Sequence, residues 1–250
     1  MTMEKLYIRA FRAVDEPDSC ERFLREHRRV LEQFGITNVS TNTDSWCTDP
    51  ETYVITAVTE DDRMVGGIRV EVQRDRPLPI ADALRKLDPK IETVLSELTA
   101  DGTAEVCGLW NASEYNAKGL PNLLSLAAVS IANQLRIQTM VCLVAHYTLR
   151  HALRVGFTIM EDVGDGGTFT YPIPSIKAIA MVIPDVRSID QASVANRKNL
   201  MSLRLRPDQT RVETPAQTPF DVRYQLLLDR SVLSLVPYKQ IEEEWLRNCA

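Results

Sequence analysis

Glu105 lies in the run TAEVCGLWN (103–111), whose β-branched and aromatic content reads as a strand. A short loop follows, Ser113-Glu114-Tyr115-Asn116-Ala117-Lys118-Gly119, and then a long helix. This order can do two things. Backbone N–H groups converge where a helix begins, its dipole favours negative charge, Gly119 admits close approach and Lys118 adds a cation, so the loop can cradle an anion. A carboxylate on the strand leading into that loop can take a proton from something bound there. The same residues also fit an ordinary strand-to-helix turn, with Glu105 half exposed or paired with an arginine such as Arg69.

Other reactive side chains offer less. The five cysteines, at 20, 47, 107, 142 and 249, are odd in number, irregularly spaced and form no C-x-x-C pair, so they suggest neither a disulfide framework nor a zinc site. Cys107 and Cys142 sit in apolar runs and read as small core residues. Three histidines cannot assemble a convincing metal cluster, and no metal is expected. His146 and His151 flank the start of a short helix and could serve an acceptor pocket. Trp110 alternates out of phase with Glu105 and reads as core on the other side of the strand.

The elements that must position these residues form an α/β pattern. Residues 5–11 (KLYIRAF) read as an opening strand, and Asp18 or Ser19 as the cap of a helix carrying Phe23, Leu24, Val30, Leu31 and Phe34, stopped by Gly35. Its other face holds Arg25, Arg28 and Arg29, a solvated surface by default. TYVITAV (52–58), the polar turn EDDR and MVGGIRVEV (64–72) predict a hairpin. One or two short helices are expected over 80–99. Leu120, Leu123, Leu124, Ala127, Ala128, Ile131 and Leu135 recur at helical spacing behind Gly119-Leu120-Pro121. TMVCLVA (139–145) is an unbroken apolar run, so strand, helix and strand together read as a right-handed parallel crossover. Thr148 is placed as the cap of a helix ending at Gly156, with Phe157 opening a strand and KAIAMVI (177–183) as the final one. Beyond Pro184 come a polar helix-like stretch (186–203), a Pro/Thr/Gln loop (207–219) and a last helix (239–248).

Composition bounds the reading. With 250 residues, 44% hydrophobic and 25% charged, the chain can bury a substantial core, and disordered and low-complexity classes are excluded. A net charge of -5 gives no general pull toward phosphate backbones, so nucleic acid is not the expected partner. No apolar run approaches the ~18 residues of a membrane span, and the N-terminus lacks a signal peptide's pattern. A cytoplasmic protein is expected.

Strand, loop and helix together resemble the core motif of the GNAT superfamily of N-acyltransferases. The family's Tyr-Arg-Gly-Lys-Gly-Ile-Gly is similar to Tyr115-Asn116-Ala117-Lys118-Gly119-Leu120-Pro121, in which the tyrosine, the lysine and one glycine are kept. The family's short helix ending in Gly-Phe resembles Leu149 to Gly156-Phe157, and the order of elements agrees over about residues 5–183. Within the superfamily the first half looks more like acyl-homoserine-lactone synthases and long-chain N-acyl amino acid synthases. Three features carry this: the helix ending Arg28-Arg29-Val30-Leu31-Glu32-Gln33-Phe34-Gly35, the acidic loop with Asp44 and Asp49, and Gly66-Gly67-Ile68-Arg69-Val70 followed by Pro77 and Pro79. The sequence also departs from these families. Gly108 stands where lactone synthases place a partner arginine, no tryptophan is identified after the N-terminal helix, and Ala152 occupies the position of a common tyrosine acid.

The resemblance implies a GNAT-like mixed central sheet with a parallel β-α-β core flanked by helices over residues 1–184. Residues 185–250 would form a C-terminal extension of helices and loop packing on that core. It implies transfer of an acyl group from a thioester, acyl-CoA or acyl carrier protein, to the amine of a small, amino-acid-like acceptor by direct attack. Glu105 would be the catalytic residue. Leu109, Trp110 and Asn111 would face the pantetheine arm, and Asn116, Ala117, Lys118, Gly119 and Leu120 the donor's phosphates. Asp44, Arg69 and His146 would bind the acceptor. An acetyl-CoA-dependent acetyltransferase and a non-catalytic thioester-binding protein remain as alternatives, and a homodimer is left open.

Overall fold

The computed structural model describes residues 3–33, 35–36, 44–99 and 102–228. The chain opens with β1 (Glu4–Arg12) and α1 (Pro17–Gln33), followed by the antiparallel hairpin of β2 (Thr52–Thr59) and β3 (Met64–Val72). Two short helices, α2 (Pro79–Leu84) and α3 (Lys90–Thr99), lead to β4 (Thr103–Asn111), α4 (Leu120–Ser130) and β5 (Thr139–Ala145). After α5 (Leu149–Arg154) come β6 (Thr158–Ile159), β7 (Thr168–Thr170) and β8 (Lys177–Ile183), then α6 (Val194–Leu205), β9 (Asp208–Glu213) and β10 (Phe220–Gln225). The strands form one mixed sheet in the order β6-β8-β5-β4-β3-β2-β1-β10-β9, with β7 also on β8. The hairpin, the parallel β4-α4-β5 unit and the strand at 177–183 appear where the sequence predicts them.

Several boundaries and one larger feature differ. α1 begins at Pro17, so Asp18 and Ser19 lie inside its first turn and cap nothing; proline suits that position because its missing N–H has no partner to lose. Phe157 precedes β6 as a buried loop residue. β8 is not the final strand. The region expected to hold only helices and loop contributes β9 and β10, and β10 pairs in parallel with β1 from Glu4↔Phe220 to Arg9↔Gln225. Buried Phe220, Val222 and Tyr224 alternate along β10 with period two, whereas β9 is a largely exposed edge strand whose polar residues hide it. Phe34 and the helix expected at 239–248 lie outside the described residues.

The sheet is covered on both faces. α4 is buried along its whole length against one face, among Val65, Val106, Met140 and Cys142. The other carries α1, with Phe23 and Leu24 against Val54, Met64 and Trp110, and separately α2 and α3 against Val141 and Ala180. Adjacent glycines in β3 allow the close approach. A Cβ on Gly67 would lie 2.4 Å from the Phe23 ring, and one on Gly66 would lie 3.0 Å from Leu120 Cδ2.

Candidate active site

β4 and β5 are hydrogen-bonded partners only from Thr103↔Thr139 to Glu105↔Val141. Beyond that point β4 stays with β3 as far as Asn111, and β5 stays with β8 as far as Ala145. The two parallel strands therefore part at Glu105. A cavity of about 430 Å³ occupies the gap. Its walls come from both faces of the sheet: His27, Ile36 and Ile80 from the α1–α2 side, and Ser125, Val129 and Ala152 from the α4–α5 side.

Gly108 shapes this edge. Its φ is +61, a left-handed conformation that suits glycine, and here Gly108 and Leu109 together oppose Ile68 alone between the pairs Arg69↔Cys107 and Gly67↔Trp110. The bulge resets the alternation. Trp110 comes onto the same face as Glu105 and Cys107, where Phe23 meets it edge-on at 5.7 Å, while Leu109 packs against the α4 cluster. The expectation that Trp110 lies on the other side of the strand from Glu105 is corrected for this reason.

Glu105 is 1% exposed and lines the cavity. Its Oε2 accepts a hydrogen bond from the Ile80 N–H at 2.6 Å, at the start of α2. Burial pushes its pKa well above the usual carboxylate range, and Glu71, its cross-strand neighbour, adds to the rise. The pairing with Arg69 that the sequence allowed does not form. Arg69 is fully buried, bonded to Glu71 Oε1 at 2.9 Å and stacked over Trp46 at 4.3 Å, with Cys107 Sγ 3.5 Å away. Cys107 donates to Glu71, and its thiol is raised far above the ordinary range, chiefly by burial, so it is no nucleophile.

The remaining expected site residues divide. Leu109, Trp110, Asn111 and Asn116 line the cavity. Ala117, Lys118, Gly119 and Leu120 do not. Leu120 is wholly buried in the core, and Gly119, at φ +80, packs under Pro215, whose Cβ a Gly119 Cβ would approach to 2.8 Å. Lys118 pairs with Glu4 at 3.1 Å and lies over the Tyr115 ring, whose hydroxyl also donates to Glu4. Of the loop amides, those of Asn116 and Lys118 donate to Ser113 and Tyr115 carbonyls.

None of the three expected acceptor-binding residues lines the cavity. Arg69 is sealed behind β4, and Asp44 belongs to a separate shallow groove with Arg25, Arg28 and Arg29 on the outer side of α1. His146 is exposed, tied by its N–H to Lys177 O. Two residues at or beside the site, His27 and Trp46, were not singled out from sequence. His27 lies on the buried stripe of α1 four residues after Phe23, a spacing that could have revealed it. His151, not His146, is the cavity histidine of α5. Trp46 supplies the aromatic after the N-terminal helix, stacked edge-on with Phe23 at 5.6 Å. Among the described residues no cluster of His, Cys, Asp and Glu could hold a metal ion.

No family model matches the chain, and no curated protein matches it in sequence. Solved structures do. FeeM, an N-acyl amino acid synthase from uncultured soil microbes, superposes with a TM-score of 0.56 at 14% identity, covering 78% of this chain and 98% of its own. MesI, a CoA-dependent acyl-homoserine lactone synthase, gives 0.53 at 13% identity, with 79% and 94% covered. An acyl-CoA N-acyltransferase from Pseudomonas aeruginosa gives 0.50 at 15% identity, with 71% and 99% covered. The parted parallel strands, the mixed sheet and these superpositions agree: the chain has the GNAT fold.

Proposed function

We propose that the protein is an N-acyltransferase that moves an acyl group from a thioester, acyl-CoA or an acylated carrier protein, to the primary amine of a small acceptor. The observation that carries this reading is the interrupted β4–β5 ladder, which opens a cavity through the sheet with a buried carboxyl group, Glu105, at the last paired position. A thioester arm laid along the unpaired edge of β4 would put its carbonyl near the Gly108 bulge, where backbone N–H groups can hold the developing oxyanion. Glu105, once ionised, is a strong proton acceptor because burial stabilises its charge poorly, and it would strip the acceptor's ammonium. The amine then attacks the carbonyl carbon, the C–S bond breaks, and the nitrogen's surplus proton passes to the leaving thiolate through water or through Tyr147, which stands exposed at the cavity wall. No enzyme-bound acyl intermediate is required.

The similarity to an N-acyl amino acid synthase and a CoA-dependent acyl-homoserine lactone synthase supports an acyl thioester donor. So does the cavity, whose volume falls within the ~300–1,000 Å³ typical of sites for sizeable ligands. The test is mass spectrometry of the protein incubated with acetyl, octanoyl and hexadecanoyl thioesters of CoA and carrier protein and a panel of amines. The expected result is amide formed with the longer donors. Glu105→Gln should lower turnover by ~10²–10⁴ while donor binding, read by thermal stabilisation, persists. Donors that neither bind nor react would overturn the proposal; donors that bind without any turnover would favour a non-catalytic thioester-binding protein.

A further inference from the structure

Four buried side chains form a square on the face of the sheet that carries Glu105. In the β3–β4 ladder Arg69 is registered opposite Cys107, and Glu71 opposite Glu105. Pairs two residues apart along a ladder share a face, so the four groups are neighbours. Arg69 Nη2 donates to Glu71 Oε1 at 2.9 Å, and the Cys107 thiol donates to the same oxygen at 3.3 Å. Glu71 is fixed by these two bonds, and the group it faces across the ladder is the carboxyl that lines the cavity.

Two carboxyl groups placed opposite each other in a buried ladder resist being ionised together. Glu71 has the Arg69 guanidinium, whereas Glu105 accepts the Ile80 N–H and borders the cavity. The proton that the pair keeps therefore sits on Glu105, in line with the direction in which burial and Glu71 drive its titration. The other groups around Glu105 do not reverse this. Asp82, on α2, also opposes its ionisation, and Arg69, which favours it, is bonded to Glu71. The thiols of Cys107 and Cys142 are raised by burial, and His27, on α1 and lining the same cavity, is held neutral by burial beside Arg69 and Arg28.

We propose that Glu71 is a positioning residue for the acyl transfer: it keeps Glu105 in the acid form until the acceptor's ammonium enters the cavity, so that the acceptor itself uncovers the base. This rests on the acyltransferase reading above and adds the control of its proton. The entering cation offsets the charge that Glu71 presents, and Glu105 releases its proton to water. The carboxylate then takes one proton from the ammonium. The freed lone pair forms the C–N bond as the thioester C–S bond breaks, and the nitrogen's surplus proton passes to the thiolate. One proton has gone to solvent, one is on the thiol, and Glu105 ends protonated as it began. The base therefore needs no recharging between turnovers.

The experiment follows Glu105 in two ways, in the wild type and in Glu71→Gln. The first is the pH dependence of kcat/KM for octanoyl transfer from octanoyl-CoA to phenylalanine and to tyramine; the acceptor's own ionisation is common to both proteins and cancels. The second is carbon NMR of the protein labelled at its glutamate carboxyls, with the Glu105 signal assigned through Glu105→Gln. Glu71→Gln should move the acid limb of the rate profile and the Glu105 titration together, to lower pH by about one unit or more. A Glu71 of purely structural importance would lower the rate at every pH and leave the limb in place. If the variant does not fold, the wild type decides: the Glu71 signal should shift at the pH where Glu105 ionises, because the two titrate as a pair. A limb and a titration unmoved by Glu71→Gln, or a Glu105 signal that titrates at ordinary carboxylate pH, would overturn this inference and leave the acyltransferase reading standing. If neither amine is acylated while the Glu105 signal still moves, the coupling stands and the acyltransferase reading fails for these acceptors.

Discussion

Acid should unfold this protein through two histidines, and replacing either should blunt the effect by a calculable amount. Burial, aided by Arg69 and Arg28, lowers His27 from 6.5 to about 3, and burial with Arg150 and Arg154 lowers His151 from 6.5 to about 4. A depressed pKa means that the unfolded chain binds protons the folded chain refuses. The associated stability is therefore complete above pH 6.5 and is lost as pH falls toward the folded value. Each unit below 6.5 costs about 1.36 kcal/mol per ring. At pH 4.5 the loss is about 2.7 kcal/mol for each ring and roughly 5 for the pair, comparable to the ~5–15 kcal/mol that holds a typical domain together. The assay is urea unfolding from pH 7.5 to 4.5 of the wild type, His27→Leu and His151→Leu. The carboxylates titrate alike in all three, so they cancel in the difference, and whatever a leucine does to packing shifts a whole curve without changing its slope. Between pH 7 and 4.5 each variant should lose about 2.5 kcal/mol less than the wild type. Curves that run parallel to the wild type's would show that these rings are not held neutral by burial.

Glu71→Ala should destabilise the fold by about 3–5 kcal/mol, because it removes the carboxylate paired with the fully buried Arg69 guanidinium; a loss below about 1 kcal/mol in denaturant unfolding would contradict the assigned pairing. Gly119→Ala forces a left-handed conformation on a residue with a Cβ and drives it against Pro215, so it should cost about 2 kcal/mol or more, read as a fall in Tm. Val129→Phe fills the α4 wall of the cavity. It should reduce turnover of hexadecanoyl donors far more than of butyryl donors, and equal effects on both in a competition assay would show that the acyl chain lies elsewhere.

The middle of the fold was legible in sequence because its signals are strong there. The hairpin over 52–72 announces itself by two β-rich runs around a polar turn, and α4 by apolar positions recurring at helical spacing. β9 and β10 were not legible for opposite reasons. β9 has the polar sequence of an exposed edge, and β10, though it alternates properly, is too short to stand out beyond a loop. Their contribution matters to the site: the turn joining them presses Pro215 and Ala216 against Gly119, and the strand they extend carries Glu4, which holds Lys118. A loop that read as an open anion cradle is thus partly engaged by the chain's own ends.

At the site itself, the sequence located the carboxylate but not its company, and Gly108 explains much of the difference. Strict alternation along TAEVCGLWN assigns odd positions to one face and sends Trp110 to the other. One positive φ cancels that rule after Cys107, so Trp110 joins Phe23 and Trp46 in a cluster that also encloses Arg69. The arginine that looked free to grip an acceptor is consequently part of the wall behind it, while His27, four residues beyond Phe23 on the same helical stripe, is left lining the cavity. A bulge next to a strand's unpaired edge changes which side chains a ligand can meet without changing the strand's length or partner. For this reason the acceptor's chemistry follows from the backbone at Gly108 more than from the residue types on either side of it.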